Sequence, residues 1–441
     1  MDTTTHFQQA RLSRDARFDG LFYTAVVSTG IYCRPVCPAP PPKEENVRYY
    51  STAYEAASQG FRPCLRCRPD SAPGSPAWLG KRTTFQRGLR LIDEGYLQDN
   101  SIPMLAEKLG VSDRYLRKLF TESLGCSPKQ YALYQQILFA KKLLHETTIS
   151  IADIAFASGF NSIRRFNDCF QQQLALSPTQ VRGKQSTQSD SLIVTLSFRP
   201  PYQWQQFHSA ISKNLIPNVE WLSENAYGRT FMLGTQCGQF TATLEPEKNR
   251  FVVELTLSDP KFLYAALNHI RRLLDLDTNP DAISLALLPL IPSNQPVITR
   301  IPGVWNTFEA GIRAIYGESL SNNGETHSSL EPLLIKDSQQ DIAYFPSAEW
   351  LAKNLESYPL PVTEKQRLSS WAKYCLSKHA ASDFIDEQDH PLTEEQYDYA
   401  CLRGAGSPDV SALASTASPL ADNAQPWRSY FALSTHYKEI S

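Results

Sequence analysis

Four cysteines constrain this chain more than any other feature. Three residues separate Cys33 from Cys37, two separate Cys64 from Cys67, and twenty-six lie between the pairs. Two short-spaced pairs at that separation suit a tetrahedral four-thiolate zinc site, each pair forming one clip. Pro38 and Pro63, beside Cys37 and Cys64, stiffen the clips. The competing arrangement is two disulfides or four buried thiols, and disulfides need an oxidising compartment. The rest of the chain points to the cytoplasm. Met1-Asp-Thr-Thr-Thr-His lacks the basic-then-apolar start of a signal peptide. No run of eighteen apolar residues exists to span a membrane. Nine cysteines is an odd count, and Cys126, Cys169, Cys237, Cys375 and Cys401 are scattered.

Arg34, Arg62, Arg66 and Arg68 crowd the cysteines in sequence. A zinc held by four thiolates carries formal charge −2, and arginines can bring a phosphate backbone against its electron-rich sulfurs. Such a thiolate is both ligand and nucleophile. The segment from about Asp15 to Asp70 resembles the N-terminal domain of the Ada family of alkylation-damage response proteins. The resemblance rests on TGIYCRPVC (Thr29 to Cys37), Glu45-Asn46-Val47 and GFRPCLRCRPD (Gly60 to Asp70). It implies that Cys33, Cys37, Cys64 and Cys67 hold zinc, and that Cys33 takes a methyl group from a DNA methylphosphotriester. One departure stands in the loop Pro38-Ala-Pro-Pro-Pro42: family members usually carry an arginine where Pro40 is found.

At 441 residues the chain needs two to four domains. Its charge is divided. Residues 1–184 hold 24 Lys and Arg against 16 Asp and Glu, and the remainder 19 against 29. Only the basic front half suits nucleic acid. After the small-residue stretch Ser71 to Ala77, apolar residues recur at helical spacing from Lys81 to about Lys184. Two helix-turn-helix units are legible, Ser101 to Phe120 and Ser150 to Phe170. Each predicts a serine-capped first helix, a glycine turn at Gly110 or Gly159, and a second helix capped by Ser112 or Asn161. The second helices carry Arg114, Arg117 and Lys118, then Arg164 and Arg165, placed for phosphate and base-edge contacts in the major groove. The segment is similar to the AraC/XylS-type DNA-binding domain, which Ada-family proteins join to the methyl-accepting domain in this order.

Beyond the polar stretch Gly183 to Asp190, strands are expected at Leu192–Phe198, Phe231–Gly234, Gln239–Leu244 and Arg250–Leu257, with helices at Gln203–Asn214 and Pro260–Leu274. Residues 191 to about 320 resemble AlkA-type 3-methyladenine DNA glycosylases through Tyr202-Gln-Trp, Arg271-Arg-Leu-Leu-Asp-Leu, Asn279-Pro and Arg300 to Gly317; Pro426 to Tyr430 matches the last helix of that fold. That family grips DNA phosphate with a Gly-rich hairpin, but residues 385–403 contain no glycine. Ala414 and Ser415 fall where its catalytic aspartate belongs, and Asp409 lies several residues too early.

The expected fold class is therefore multidomain α+β. Residues 1–75 form a zinc-binding methyl-acceptor domain and 81–184 an all-α double helix-turn-helix domain. Residues 191–276 form a small α+β domain, and 277–441 a degenerate helix-hairpin-helix, glycosylase-like helical remnant. The resemblances imply a damage sensor and transcription activator with zinc as cofactor. Cys33 is the single-turnover acceptor, and Arg34, Arg62 and Arg66 join the helix-turn-helix cations as DNA contacts. The implied partners are double-stranded DNA, as methylated backbone and promoter sites, and RNA polymerase. Two other readings compete: an active 3-methyladenine glycosylase fused to a regulator, and a transcription factor with purely structural zinc.

Overall fold

The computed structural model describes residues 3–14, 18–19, 22–70, 81–182, 192–292, 296–317, 330–337, 341–377, 390–410, 424 and 427–436. The stretches Ser71–Ala77 and Gly183–Asp190, and Ala414 and Ser415, lie outside the described residues. Among the described residues no helix is long and apolar enough to cross a membrane. The chain divides into two compact units: Met1–Asp93 with Asn100–Tyr131, and Glu94–Asp99 with Ala132–Ser441.

In the first unit, strands β1 (Tyr23–Val26), β2 (Ile31–Cys33), β3 (Val47–Tyr50) and β4 (Arg62–Pro63) form one sheet in the order β3-β1-β2-β4. The β1–β2 hairpin is antiparallel with Thr24 opposite Cys33, and β4 runs parallel to β2 with Pro63 opposite Tyr32. Those two registers bring the cysteine pairs together. The core under the sheet is small: Tyr23, Ala25, Tyr32 and Ala56 are buried. The N-terminal helix Thr3–Ser13 joins it through Phe7, which stacks on Phe22 with centroids 4.2 Å apart. The first helix-turn-helix, Ile102–Lys108 and Asp113–Leu124, also belongs to this unit.

The second unit contains the other helix-turn-helix, Ile151–Ala157 and Ile163–Leu174. The turns in both motifs rest on glycine: Gly110 has φ +68° and Gly159 φ +80°, a region costly for residues with a Cβ. The predicted cap at Asn161 is corrected. Ser162 caps the helix, its Oγ accepting the Arg165 N–H at 3.1 Å. A start one residue later still leaves Phe166 and Phe170 on the buried face.

A five-stranded antiparallel sheet follows: β5 (Leu192–Ser197), β6 (Glu220–Leu222), β7 (Ala226–Leu233), β8 (Gln236–Glu245) and β9 (Arg250–Leu257), in the order β5-β9-β8-β7-β6. The packing does not respect a boundary between residues 184 and 191. Leu143, Ile154 and Phe166 share one core with Val194, Phe231 and Leu267. The Thr195 amide donates to Glu146 Oε2 at 2.8 Å, and Phe139 meets Tyr264 edge-on at 4.7 Å.

Behind β6 and β7 lies a fully buried ion network. Arg229 donates to both carboxylate oxygens of Glu309 at 3.0 and 2.7 Å, and Arg313 reaches Glu220 at 2.9 Å. Burial opposes ionisation of Glu220, but Arg313 and Arg229 hold its carboxyl down at about 2. Each charge is paired, which makes burial tolerable without making it a large stabiliser. The helical part continues around Phe308, Leu351, Trp371 and Tyr399. Within residues 390–404, helix Glu394–Tyr399 runs directly into a π-turn, Ala400–Gly404.

Candidate metal centre and nucleic-acid interface

Cys33 ends β2, and Cys37 lies in the turn after it, its N–H donating to the Arg34 carbonyl at 3.1 Å. Cys64 follows β4, anchored by its N–H to the Tyr32 carbonyl at 3.0 Å. A turn then carries the chain to Cys67, closed by the Arg68 N–H on the Cys64 carbonyl at 2.9 Å. The four Sγ atoms lie within 4.8 Å of one another, and Cys37 Sγ is 3.9 Å from Cys64 Sγ. A tetrahedron with zinc–sulfur bonds of about 2.3 Å has edges of about 3.8 Å. The residues fit zinc.

The chemistry of the donor set agrees. Without a cation the sulfurs can only share protons. Hydrogen bonds to Cys37 and Cys67 push the Cys33 thiol far above its ordinary value, while the bonds Cys37 accepts from Cys33 and Cys67 draw it down to about 2. A divalent cation relieves that competition by letting all four ionise. Zinc is the cofactor of this centre.

The four ligands are not equivalent. Cys37, Cys64 and Cys67 are buried, and Cys33 is partly exposed. Cys67 Sγ accepts the Arg34 N–H at 3.3 Å, and the Ala39 amide donates to Cys37. Among the described residues no backbone amide donates to Cys33. Cys33, Cys37 and Cys64 line a cavity of about 830 Å³, with Val26, Pro40, Arg62 and Arg66.

The expectation that Arg34 offers its charge to DNA is corrected. Arg34 is buried: Nε donates to Asp19 Oδ1 at 2.8 Å, Nη2 pairs with Asp19 Oδ2, and Nη1 donates to the Cys67 carbonyl at 3.1 Å. It braces the cluster instead. Arg62, Arg66 and Arg68 are exposed. Sequence reasoning missed Arg11 and Arg14 on the N-terminal helix and its end. Arg11 is buried and paired with Glu44, Tyr49 and the Pro42 carbonyl. Their spacing of three residues, one helical turn, was the available signal.

In the helix-turn-helix units every first and second helix carries a serine cap: Ser101, Ser112, Ser150 and Ser162. Leu116, Leu119 and Phe120, then Phe166 and Phe170, are buried, which turns Arg114, Arg117, Lys118, Arg164 and Arg165 outward. Arg117 rests on Asp113 at 2.9 Å and Lys118 on Glu122 at 3.6 Å. Exposed helical pairs of this kind contribute only a few tenths of a kcal/mol and are readily given up to a phosphate. In the glycosylase-like region, Asp409 accepts from Arg428 Nε at 2.6 Å and Nη2 at 3.0 Å.

Comparisons with known proteins follow this layout. Residues 6–70 match the metal binding domain of Ada, 105–184 a helix-turn-helix domain, and 193–306 the AlkA N-terminal domain. A Mycobacterium tuberculosis (strain CDC 1551 / Oshkosh) protein, described as a probable bifunctional transcriptional activator/DNA repair enzyme AlkA, is 36% identical over 329 residues, 72% of this chain and 66% of its own. Bifunctional transcriptional activator/DNA repair enzyme AdaA of Bacillus subtilis (strain 168) is 30% identical, over 40% of this chain and 80% of its own. Bifunctional transcriptional activator/DNA repair enzyme Ada of Escherichia coli (strain K12) is 34% identical, over 36% of this chain and 45% of its own. The match thus spans just under two thirds of the mycobacterial protein and under half of the Escherichia coli one. With its zinc centre, paired helix-turn-helix units and AlkA-type sheet, the chain belongs to the Ada/AlkA family of bifunctional transcriptional activator/DNA repair proteins.

Proposed function

We propose that this protein senses methylation of the DNA backbone and answers by activating transcription. The observation that carries the reading is the asymmetry of the cluster. Cys33 alone among the ligands is partly exposed, and it faces the cavity that Cys37 and Cys64 also line. N–H···S bonds draw electron density from the Cys37 and Cys67 thiolates, and burial shields Cys64, so Cys33 is the sulfur best placed to attack. Bound zinc supplies the positive charge that keeps the sulfurs deprotonated at neutral pH.

The Cys33 sulfur lone pair attacks the methyl carbon of a methylphosphotriester. The carbon–oxygen bond breaks, its electron pair leaves on the phosphate oxygen, and a phosphodiester anion and a thioether result. A thioether does not leave again, so each chain reacts once. The cluster goes from −2 to −1. At 5–10 Å from a phosphate, one unit of charge is worth roughly 2–3 kcal/mol in an effective dielectric near 20, or about a 30–150-fold gain in DNA affinity. Arg114, Arg117, Lys118, Arg164 and Arg165 then contact the promoter, and RNA polymerase is the partner of the bound activator. The check is a titration of a DNA fragment selected from random sequence by the methylated protein. Equal affinities before and after methylation would sink the switch.

Residues 191–441 serve in this reading as a scaffold and do not excise bases. Removing a base requires flipping it out, at a cost of a few kcal/mol, and holding the kinked strand. Residues 385–403 offer no glycine hairpin, and the Asp409 carboxylate is committed to Arg428. The full-length protein should release no 3-methyladenine from alkylated DNA. Release that disappears in Asp409→Asn would overturn this assignment.

A further inference from the structure

We propose that Arg14 is a phosphate ligand of this site, gripping a phosphodiester next to the methylated phosphate. The inference rests on the methyl-acceptor reading and adds a residue to it. It starts from a deficit. The loop 38–42 rims the cavity beside Cys33, yet four of its five residues are proline and have no N–H. The fifth, Ala39, spends its amide on the Cys37 sulfur. A DNA strand laid along this rim would meet carbonyls and proline rings and no donor. A donor there must come from elsewhere in the chain.

Five arginines line the cavity: Arg11, Arg14, Arg34, Arg62 and Arg66. Glu44 neutralises Arg11 and Asp19 neutralises Arg34, and both arginines are buried. Arg14, Arg62 and Arg66 are exposed, and of the three it is Arg14 that reaches the loop: its Nη2 donates to the Pro38 and Ala39 carbonyls at 3.4 and 3.2 Å. These neutral acceptors hold the side chain over the donor-poor loop without cancelling its charge. They occupy one nitrogen of a guanidinium that carries five N–H donors, leaving the others for a bidentate grip on phosphate.

The backbone adds to the case. Arg14 follows the helix Thr3–Ser13 with φ +53°, in the left-handed region where glycine is favoured. A long cation kept at a position better suited to glycine directs attention to its side chain. The same fact supplies a clean variant, because Arg14→Gly removes the guanidinium and relaxes the backbone.

The test uses full-length, zinc-loaded protein and an oligonucleotide duplex carrying one methylphosphotriester. Methyl transfer is followed against DNA concentration at several salt concentrations. For Arg14→Gly the half-saturating DNA concentration should rise about tenfold, as loss of a charge-assisted hydrogen bond implies. The effect should fall on half-saturation rather than on the maximal rate. The log–log dependence of binding on salt should become shallower by about 1, the signature of one lost phosphate contact. Pro40→Arg in the same chain should restore both readouts by returning a cation to the rim. If wild-type protein is methylated on Cys33 and Arg14→Gly leaves half-saturation and salt slope unchanged, this inference is overturned while the methyl-acceptor reading stands. A wild type that accepts no methyl overturns both.

Discussion

Chelating the zinc will unfold the sheet domain over residues 22–70 and leave the second unit folded. The reason is the size of the core. Besides the cysteines and prolines, Phe22, Tyr23, Ala25, Tyr32 and Ala56 are its buried apolar side chains among the described residues. A segment that small does not bury enough surface to offset the entropy of ordering it. The cysteines supply the rest: structural zinc contributes about 10–16 kcal/mol of apparent binding energy in zinc-finger peptides at neutral pH. That is as large as the whole stability of a typical domain, about 5–15 kcal/mol. Without metal, four thiols within 4.8 Å of one another are held only by each other and by single N–H donors to Cys37 and Cys67. Two signals separate the units. Six of the seven tryptophans stand at position 204 or later, so their emission reports on the second unit. Near-ultraviolet dichroism from Tyr23 and Tyr32, and protease protection of residues 22–70, report on the sheet domain. The expected result is loss of the latter two with tryptophan emission unchanged. A sheet domain that keeps its protease protection after complete zinc removal would contradict this account of what holds it together.

Much of this was legible in the sequence because the signals were local. The cysteine spacing identifies the ligands, and serine caps and glycine turns place the helix-turn-helix units. Strand β9 runs over the expected residues, since Arg250 to Leu257 alternates cleanly. What was hidden depended on distant partners. Strand β7 begins at Ala226, five residues before the expected start, and is buried along nearly all its length. Its Arg229 reads as a surface residue until Glu309, eighty positions on, arrives to neutralise it. The short edge strand β6, Glu-Trp-Leu, has too few residues to show an alternation. Arg34 reads as a phosphate ligand in the sequence because its partner Asp19 lies on the far side of β1. The shared core of the second helix-turn-helix and the five-stranded sheet crosses a polar stretch that composition marks as a boundary.

The account stands or falls on Cys33. Its replacement by serine keeps size and hydrogen bonding but removes the thiolate. Serine is a poor zinc ligand and a far weaker nucleophile at neutral pH, so methyl acceptance should vanish rather than decline. Because loss of a ligand also weakens the metal site, the substitution alone does not locate the chemistry. The direct measurement is peptide mass spectrometry of wild-type, zinc-loaded protein after incubation with duplex DNA carrying methylphosphotriesters, with zinc content assayed on the same sample. The account predicts one methyl group per chain, on the Cys33 peptide, with zinc retained. A methyl on Cys64 or Cys67, or an unmodified protein alongside DNA whose triesters persist, would contradict it.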